Sequence, residues 1–465
     1  MNWYLKTARL LLAASLLLAL RPPPARAQSS GPQYIVQPGD TLYGIALQFG
    51  ISVQALEAAN PGVDAAALAV GQALIIPGFE GVTGTLGTHP LEPGEALDSL
   101  ALRLGLKRET LIRLNRIVNP ERLYINELVV TVDQADGAAA VATGITRAAR
   151  AGEGLLAVAA SANQNPWALA ALNRLSQPGS LLPGALIVLP GGDLPTKALP
   201  SPVRHLQLHP LPAEQGRTIS IRIDTTQPLS LTGHLGEWPL HFNVDDTRPN
   251  SQVALLGIDR LADSNLYPLT ITATDAAGAT IRFSQPLPVR DGHYLVDKPL
   301  TVDPATLDPA VTQPELAQVK SIVAPFTPAR YWSGLFALPS VGALRSVFGS
   351  LRAYNGGPYD AFHTGVDFSG GDDRPITAPA PGVVVFAGPL VVRGNATVID
   401  HGWGVYTGYW HQSVSQVNVG DRVETGQVIG FNGSTGRVTG PHLHWELWVG
   451  GFQADPLQWT ETEFP

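Results

Sequence analysis

The sequence predicts a multidomain, mainly β chain, with α+β repeats in front and a β-sandwich behind them. Three observations carry this expectation. The chain has 465 residues, against a usual domain of about 150. Glycine (48) and proline (40) are abundant while charged residues make up only 15%, a composition that favours turns and short strands over long helices. A gapless internal repeat also occurs three times before residue 190, the mark of a modular array.

Residues 1–27 read as a secretion signal. Lys6 and Arg9 form a basic start, Leu10 to Leu20 an apolar core, and Ala25-Arg26-Ala27 a small-residue cleavage pattern. The apolar stretch is shorter than the ~20 residues that span a bilayer. A secreted or periplasmic product with no membrane span in its mature form is therefore expected. There is no cysteine, which excludes disulfides, thiolate metal ligands and a lipid-bearing Cys. The net charge of -8 supplies no basic footprint for nucleic acid.

The three repeats follow the signal. Gly39-Asp40-Thr41-Leu42 leads to Ala46, Leu56 and Asn60; Gly94-Glu95-Ala96-Leu97 leads to Ala101, Leu111 and Asn115; Gly152-Glu153-Gly154-Leu155 leads to Ala159, Leu169 and Asn173. In each, apolar residues recur at helical spacing after a turn (Leu42, Ile45, Ala46 and Phe49 in the first). Asp40 or Thr41 can cap the first helix through its side-chain oxygen. A closing strand such as 72–77 completes a strand-helix-helix-strand unit.

Residues 202–290 change character. Thr218-Ile219-Ser220-Ile221-Arg222-Ile223 and Leu269-Thr270-Ile271-Thr272-Ala273 alternate and are rich in β-branched side chains, and Asp275-Ala276-Ala277-Gly278 reads as a hairpin turn. A small antiparallel sandwich of immunoglobulin type is expected. His205, His209, His234 and His241 are scattered across it without a ligand-like spacing. The Pro-bearing stretch 291–330 reads as a connector with a short helix near Glu315 to Ile322.

The chemistry concentrates in residues 331–465. Five of the eleven histidines lie between His363 and His444. His363-Thr364-Gly365-Val366-Asp367 is one cluster and His442-Leu443-His444 another. A catalytic zinc site takes three protein ligands and leaves a fourth position open, and His and Asp serve where Cys is absent. Residues two apart on a strand share a face, so His442 and His444 can address one centre. No His is followed by Glu, so the helical H-E-x-x-H motif is absent and the base must come from elsewhere, with His411 and His442 available. Glu446 shares the parity of His444 and can support it from behind. His401 reads as structural.

Two resemblances follow from these residues. The repeats resemble LysM modules (33–78, with LysM-like copies at 88–132 and 145–190), which implies binding of the N-acetylglucosamine backbone of peptidoglycan through Gly39, Asp40, Thr41, Leu42 and Asn60. Copies two and three depart from the pattern by replacing Thr41 with Ala96 and Gly154. The H-x-x-x-D cluster, Tyr409-Trp410-His411 and the His442-Leu443-His444-Trp445-Glu446 ending resemble the lysostaphin-type (LytM) zinc metalloendopeptidases. So do Ala378 to Val383, Gly420 to Val423 and Gly433 to Gly436, in the same order. That resemblance implies an antiparallel β peptidase domain (331–465) and one Zn2+ per chain on His363, Asp367 and His444. It further implies His411 and His442 as catalytic histidines, an oxyanion-stabilising Tyr354 or Tyr359, and stem peptides of the bacterial cell wall as substrate. The alternative it leaves is a non-catalytic wall-binding scaffold or amidase activator.

Overall fold

The computed structural model describes residues 31–465 apart from 65–67, 80, 105, 134–142, 151, 174, 176–178, 180, 182–184, 196–198 and 372. The expected signal segment lies outside the described residues. The chain divides into two compact units, one from residues up to 89, 101–118 and 128–141, the other from 90–100, 119–127 and 142–465. Among the described residues no helix is long and apolar enough to cross a membrane.

Each repeat is a pair of short helices between two strands: Leu42–Gln48 and Val53–Ala59 in the first, Leu97–Arg103 and Arg108–Asn115 in the second, Leu155–Ser161 and Pro166–Leu172 in the third. Helices this short are marginal alone, and the same polar devices hold all three. The closing asparagine is the first. The amide of Asn60 donates to the carbonyls of Leu56 and Ile75 and accepts from the Ile75 N–H, at 2.8, 2.8 and 2.7 Å. Asn115 does the same with Leu111 and Val130, and Asn173 with Leu169 and Val188. The acid of the turn is the second device. Asp40, Glu95 and Glu153 each accept from a backbone N–H three residues upstream, on Gln37, Glu92 and Arg150. Of the two proposed caps it is Thr41 that bonds the helix, through Gly44 N–H at 3.0 Å.

Residues 203–290 form two facing layers, antiparallel except that Ala213–Glu214 pairs in parallel with Thr280–Arg290. One runs Trp238–Leu240, Ser230–Leu235, Leu266–Thr274, Thr280–Arg290, Ala213–Glu214; the other Asn243–Val244, Ser251–Gly257, Thr218–Thr225, Val203–His209. Inward Ile219, Ile221, Ile223, Leu235, Leu256, Leu269 and Ile271 make the core between them. The Asp275 turn closes the long hairpin, its carboxylate accepting from Ala277 and Ala279 N–H.

The main sheet of the C-terminal β domain is antiparallel, in the order Leu344–Ser346, Val366–Ser369, His442–Val449, Val405–Gln412, Gly394–Gly402, Gly382–Leu390, Arg422–Val423, with Phe452–Ala454 paired to His442–Val449; a three-stranded sheet of Pro375–Thr377, Val428–Phe431 and Val414–Ser415 and a two-stranded one of Leu351–Arg352 and Ala361–Phe362 are separate from it. Its central strands, Val405–Gln412 and His442–Val449, are rich in aromatic and β-branched residues, which suit a pleated surface packed on both sides. Phe368, Tyr409, Leu443 and Trp445 pack one face. On the other face, Tyr406, Trp410 and Trp448 meet Val319 and Val323 of the helix Pro309–Val323. That helix is twice the length read from the sequence. Asp308 caps it through Ala310 N–H and Pro309 occupies its first position, so prolines that look like linker are a helix start. Trp459, Phe336, Trp332 and Trp403 join Val253 and Leu255 of the sandwich in a shared core.

The asparagine staple yields a direct expectation. Asn60→Ala leaves the Ile75 N–H and carbonyl without their side-chain partner and costs the first repeat about 1–3 kcal/mol. Hydrogen exchange at the Ile75 amide should speed up accordingly, whereas alanine at exposed Glu57 should leave it unchanged.

Candidate metal centre

Strand register builds the site. Asp367 lies directly opposite His444, and His444 directly opposite Trp410. Pleat parity then puts His442, His444, Glu446 and Asp367 on one face of the sheet. His363 arrives from the turn before Asp367, and this turn presses against the neighbouring strand. A Cβ on Gly365 would stand 2.2 Å from the Trp445 carbonyl oxygen and 2.9 Å from His444 Nε2. Only glycine fits there.

Three donor atoms converge. His363 Nε2 is 2.9 Å from His444 Nδ1 and 3.0 Å from Asp367 Oδ1, and His444 Nδ1 is 2.8 Å from Asp367 Oδ1. All three residues are buried. The far side of each ring fixes its tautomer. His363 Nδ1 faces the Val347 carbonyl at 2.9 Å and the Ser346 hydroxyl, whose own proton goes to Asp297, so Nδ1 carries the hydrogen. His444 Nε2 faces Glu446 at 3.3 Å and the Thr364 oxygen, whose proton also goes to Glu446, so Nε2 carries the hydrogen. Two imidazole lone pairs and a carboxylate oxygen therefore point at one another, an arrangement that fits a cation and the donor set of zinc.

Electrostatics agrees. Burial alone would raise Asp367, yet His363 and His444 hold it well below the usual carboxylate range. Burial pushes His363 down to about 4. Burial also opposes charge on His444, but hydrogen bonds to Asp367 and Glu446 outweigh it and raise the ring; the same carboxylates would draw a metal ion. Glu446 is 1% exposed. Burial acts to raise it, but Arg393, His444 and Thr364 bring it far below normal. It also accepts from Trp448 and Gln453. Arg352 bonds the outer oxygen of Asp367 at 2.9 Å and Asp297 at 3.1 Å, which holds the carboxylate's orientation.

His411 and His442 stand beside the triad, with ring centroids 4.9 Å apart. Each gives its Nδ1 hydrogen to a carbonyl, of Thr435 and Gly440 respectively, both at 2.8 Å, and leaves Nε2 open. His442 Nε2 is 3.7 Å from Asp367 Oδ1. Burial first, then nearby histidines, lowers His411 well below its ordinary value, and burial also lowers His442. Both rings are neutral proton acceptors near pH 7. Strand alternation alone would send His411 to the opposite face from Trp410. A left-handed backbone at His411 (φ 68) breaks the alternation, and the Arg393 carbonyl holds its N–H at 2.9 Å.

These residues open into a cavity of about 660 Å³. Its walls include Asp297, Leu300, Val302, Thr312 and Leu316 from the stretch read as a connector, and Arg352, Tyr354, Arg393 and Arg437 from the β domain. None of these arginines stood out in the sequence, because a lone Arg carries no spacing signal. Of the two candidate tyrosines, Tyr354 lines the cavity while the Tyr359 hydroxyl bonds the Asp297 carbonyl. His401 sits in the core with both nitrogens engaged, by Pro381 and Thr407.

The proposed sugar-contacting residues are placed unequally. Gly39 and Thr41 are exposed, Asp40 holds the turn through Tyr34 and Gln37, Leu42 is core, and the Asn60 amide is committed to backbone. In the second repeat the corresponding turn is buried. Gly94 N–H donates to Gln285 at 2.7 Å, and Gln285 donates to the Glu95 carbonyl at 3.1 Å.

An antiparallel β domain with an open three-donor site and two neutral imidazoles beside it has the equipment of a metal-dependent hydrolase. Residues 361–456 match the model of peptidase family M23, and residues 34–77 and 91–130 that of the LysM domain. The chain thus carries an M23, lysostaphin-type domain behind LysM domains. It is 45% identical over 95 residues to the DD-carboxypeptidase/endopeptidase Mpg of Neisseria meningitidis serogroup B, covering 20% of this chain and 22% of that protein. It is 46% identical over 89 residues to the peptidoglycan DD-endopeptidase ShyA of Vibrio cholerae, covering 19% and 21%. With the glycyl-glycine endopeptidase ALE-1 of Staphylococcus capitis it shares 38% over 114 residues, covering 23% and 32%. The chain spans under a third of the length of each of these relatives. A solved peptidase M23 from Pseudomonas aeruginosa is similar at TM-score 0.41 and 25% identity, over 54% of this chain and 95% of that one.

Two outcomes check the metal assignment. His444→Ala removes one donor of three, so zinc retained after dialysis should fall from one per chain to near zero by elemental analysis. Glu446→Gln keeps all three donors but weakens the acceptor behind His444, and should loosen zinc about 10–100-fold in a chelator competition.

Proposed function

We propose that the protein is a secreted zinc metalloendopeptidase that hydrolyses peptide bonds of bacterial peptidoglycan, brought to the wall by its LysM domains. The observation that carries this reading is the convergence of His363 Nε2, Asp367 Oδ1 and His444 Nδ1 beside two histidines with open Nε2 atoms, in one cavity. The names of the related endopeptidases supply the substrate class. A non-catalytic scaffold would need none of these five side chains, and all five are in place.

His363, Asp367 and His444 would hold Zn2+, which supplies Lewis-acid activation of water and of the scissile carbonyl. The chain's own residues handle the proton. Because Nδ1 of His411 and of His442 is pinned to a carbonyl, either ring can take the proton of the attacking water only at Nε2. The ring that has taken it becomes a donor, first to the developing oxyanion and then to the leaving amine. Arg352 and Glu446 act by keeping Asp367 and His444 in place. Wall binding rests on the first repeat, whose Gly39–Thr41 turn is open, whereas Gln285 occupies that turn in the second. Tethering of this kind raises local concentration on the substrate without touching the catalytic site.

Purified peptidoglycan incubated with the zinc-loaded chain should release new amino groups. His411→Ala should keep its zinc and lose about 10²–10⁴-fold in rate. If no amino groups appear, or if His411→Ala matches the wild type, the peptidase reading is wrong.

A further inference from the structure

Four arginines line the cavity; Arg345 is exposed, and among the three half-buried ones a single guanidinium makes no ion pair with a described carboxylate. Arg352 is paired with Asp297 and Asp367, and Arg393 with Glu315 and, at 3.6 Å, with Glu446. Arg437 lines the same cavity, half-buried, and makes no ion pair among the described residues. Its Nη1 donates to the Thr306 carbonyl at 3.3 Å, and its Cζ lies 4.9 Å from the centre of the Tyr354 ring. That uses one of five N–H donors. Burial, and then the nearness of Arg393 and Arg352, lower its pKa against the opposing pull of Tyr354 and Glu315.

The backbone ties Arg437 to the reacting groups. Arg437 N–H donates to the Val392 carbonyl at 2.8 Å, Thr435 two residues before it holds His411, and His442 follows five residues after. A single loop therefore carries the free cation and supports both histidines.

We propose that Arg437 is a carboxylate-binding residue that selects peptides with a free α- or side-chain carboxylate within a residue or two of the scissile bond. The proposal rests on the peptidase reading above and narrows its substrate. A planar guanidinium grips a carboxylate through two parallel hydrogen bonds, and the Tyr354 ring fixes its plane. An uncharged linkage, such as the interior of a glycine bridge, leaves those donors desolvated and unmatched and is disfavoured.

Two synthetic peptides with the same scissile bond, one with the neighbouring carboxylate free and one with it amidated, test this on the full zinc-loaded chain. The acid should be preferred about 10–100-fold in kcat/KM, expressed in KM. Arg437→Gln should abolish the preference by raising KM for the acid alone, and Arg437→Lys should retain part of it. Equal use of both peptides by the wild type overturns the proposal. So does an Arg437→Gln variant that loses acid and amide alike, the result expected of a strut between Thr306 and Tyr354. Calorimetric binding of the two peptides separates the readings. Tighter binding of the acid without cleavage upholds the carboxylate site and sinks the peptidase reading, whereas equal binding without cleavage sinks both.

Discussion

Three electron-pair donors, held about 3 Å apart at the middle of a sheet, are the constraint on which the C-terminal domain depends. Lone pairs so placed repel, and the fold holds them by bonding the far side of each donor group. Val347 and Ser346 fix one imidazole, Glu446 and Thr364 the other, and Arg352 the carboxylate. Each of these partners is itself bonded. Ser346 gives its proton to Asp297, and Glu446 gathers Thr364, Trp448 and Gln453. The resulting network is preorganised for a cation.

The same sheet face is divided between structure and chemistry. Its lower part, Tyr406, Trp410 and Trp448, is closed by the helix Pro309–Val323, while the upper part carries the histidines. Glu315 of that helix accepts from the Val392 and Arg393 N–H groups and pairs with the Arg393 side chain. Arg393 in turn faces Glu446 and supports His411 through its carbonyl. The helix and the strand His442–Val449 are therefore joined by a buried charge network. Such a network resists piecemeal change, since removing one member leaves another charge without a partner in a poorly solvated place.

The repeats show how one skeleton serves different ends. Asparagine staple and acidic turn recur in all three, so each folds by the same local rules. What differs is the surroundings of the turn. In the first repeat Gly39 and Thr41 are open, and in the second Gly94 and Glu95 are bonded to Gln285 and covered. In the second repeat, where Ala96 stands at the position of Thr41, the turn is thus taken up in packing.

Much of this protein was legible in the sequence because the signals are local or periodic. Helical spacing around Leu42 to Phe49, alternation in Thr218 to Ile223, the Asp275 turn, and the His442/His444 parity each depend on residues within a few positions of one another. The sequence also pointed to His363 and Asp367, since only four peptide bonds separate them and limit how far apart their donors can be. Tertiary structure alone decided the rest. Asp367 meets His444 only through strand register, and His411 reaches the site only because its backbone leaves strand geometry at φ 68. The connector forms a cavity wall because its helix covers Tyr406, Trp410 and Trp448, and Asn60 staples its repeat because Ile75 comes back beside it. Those contacts join residues far apart in the chain, and no spacing rule records which ones the packing brings together.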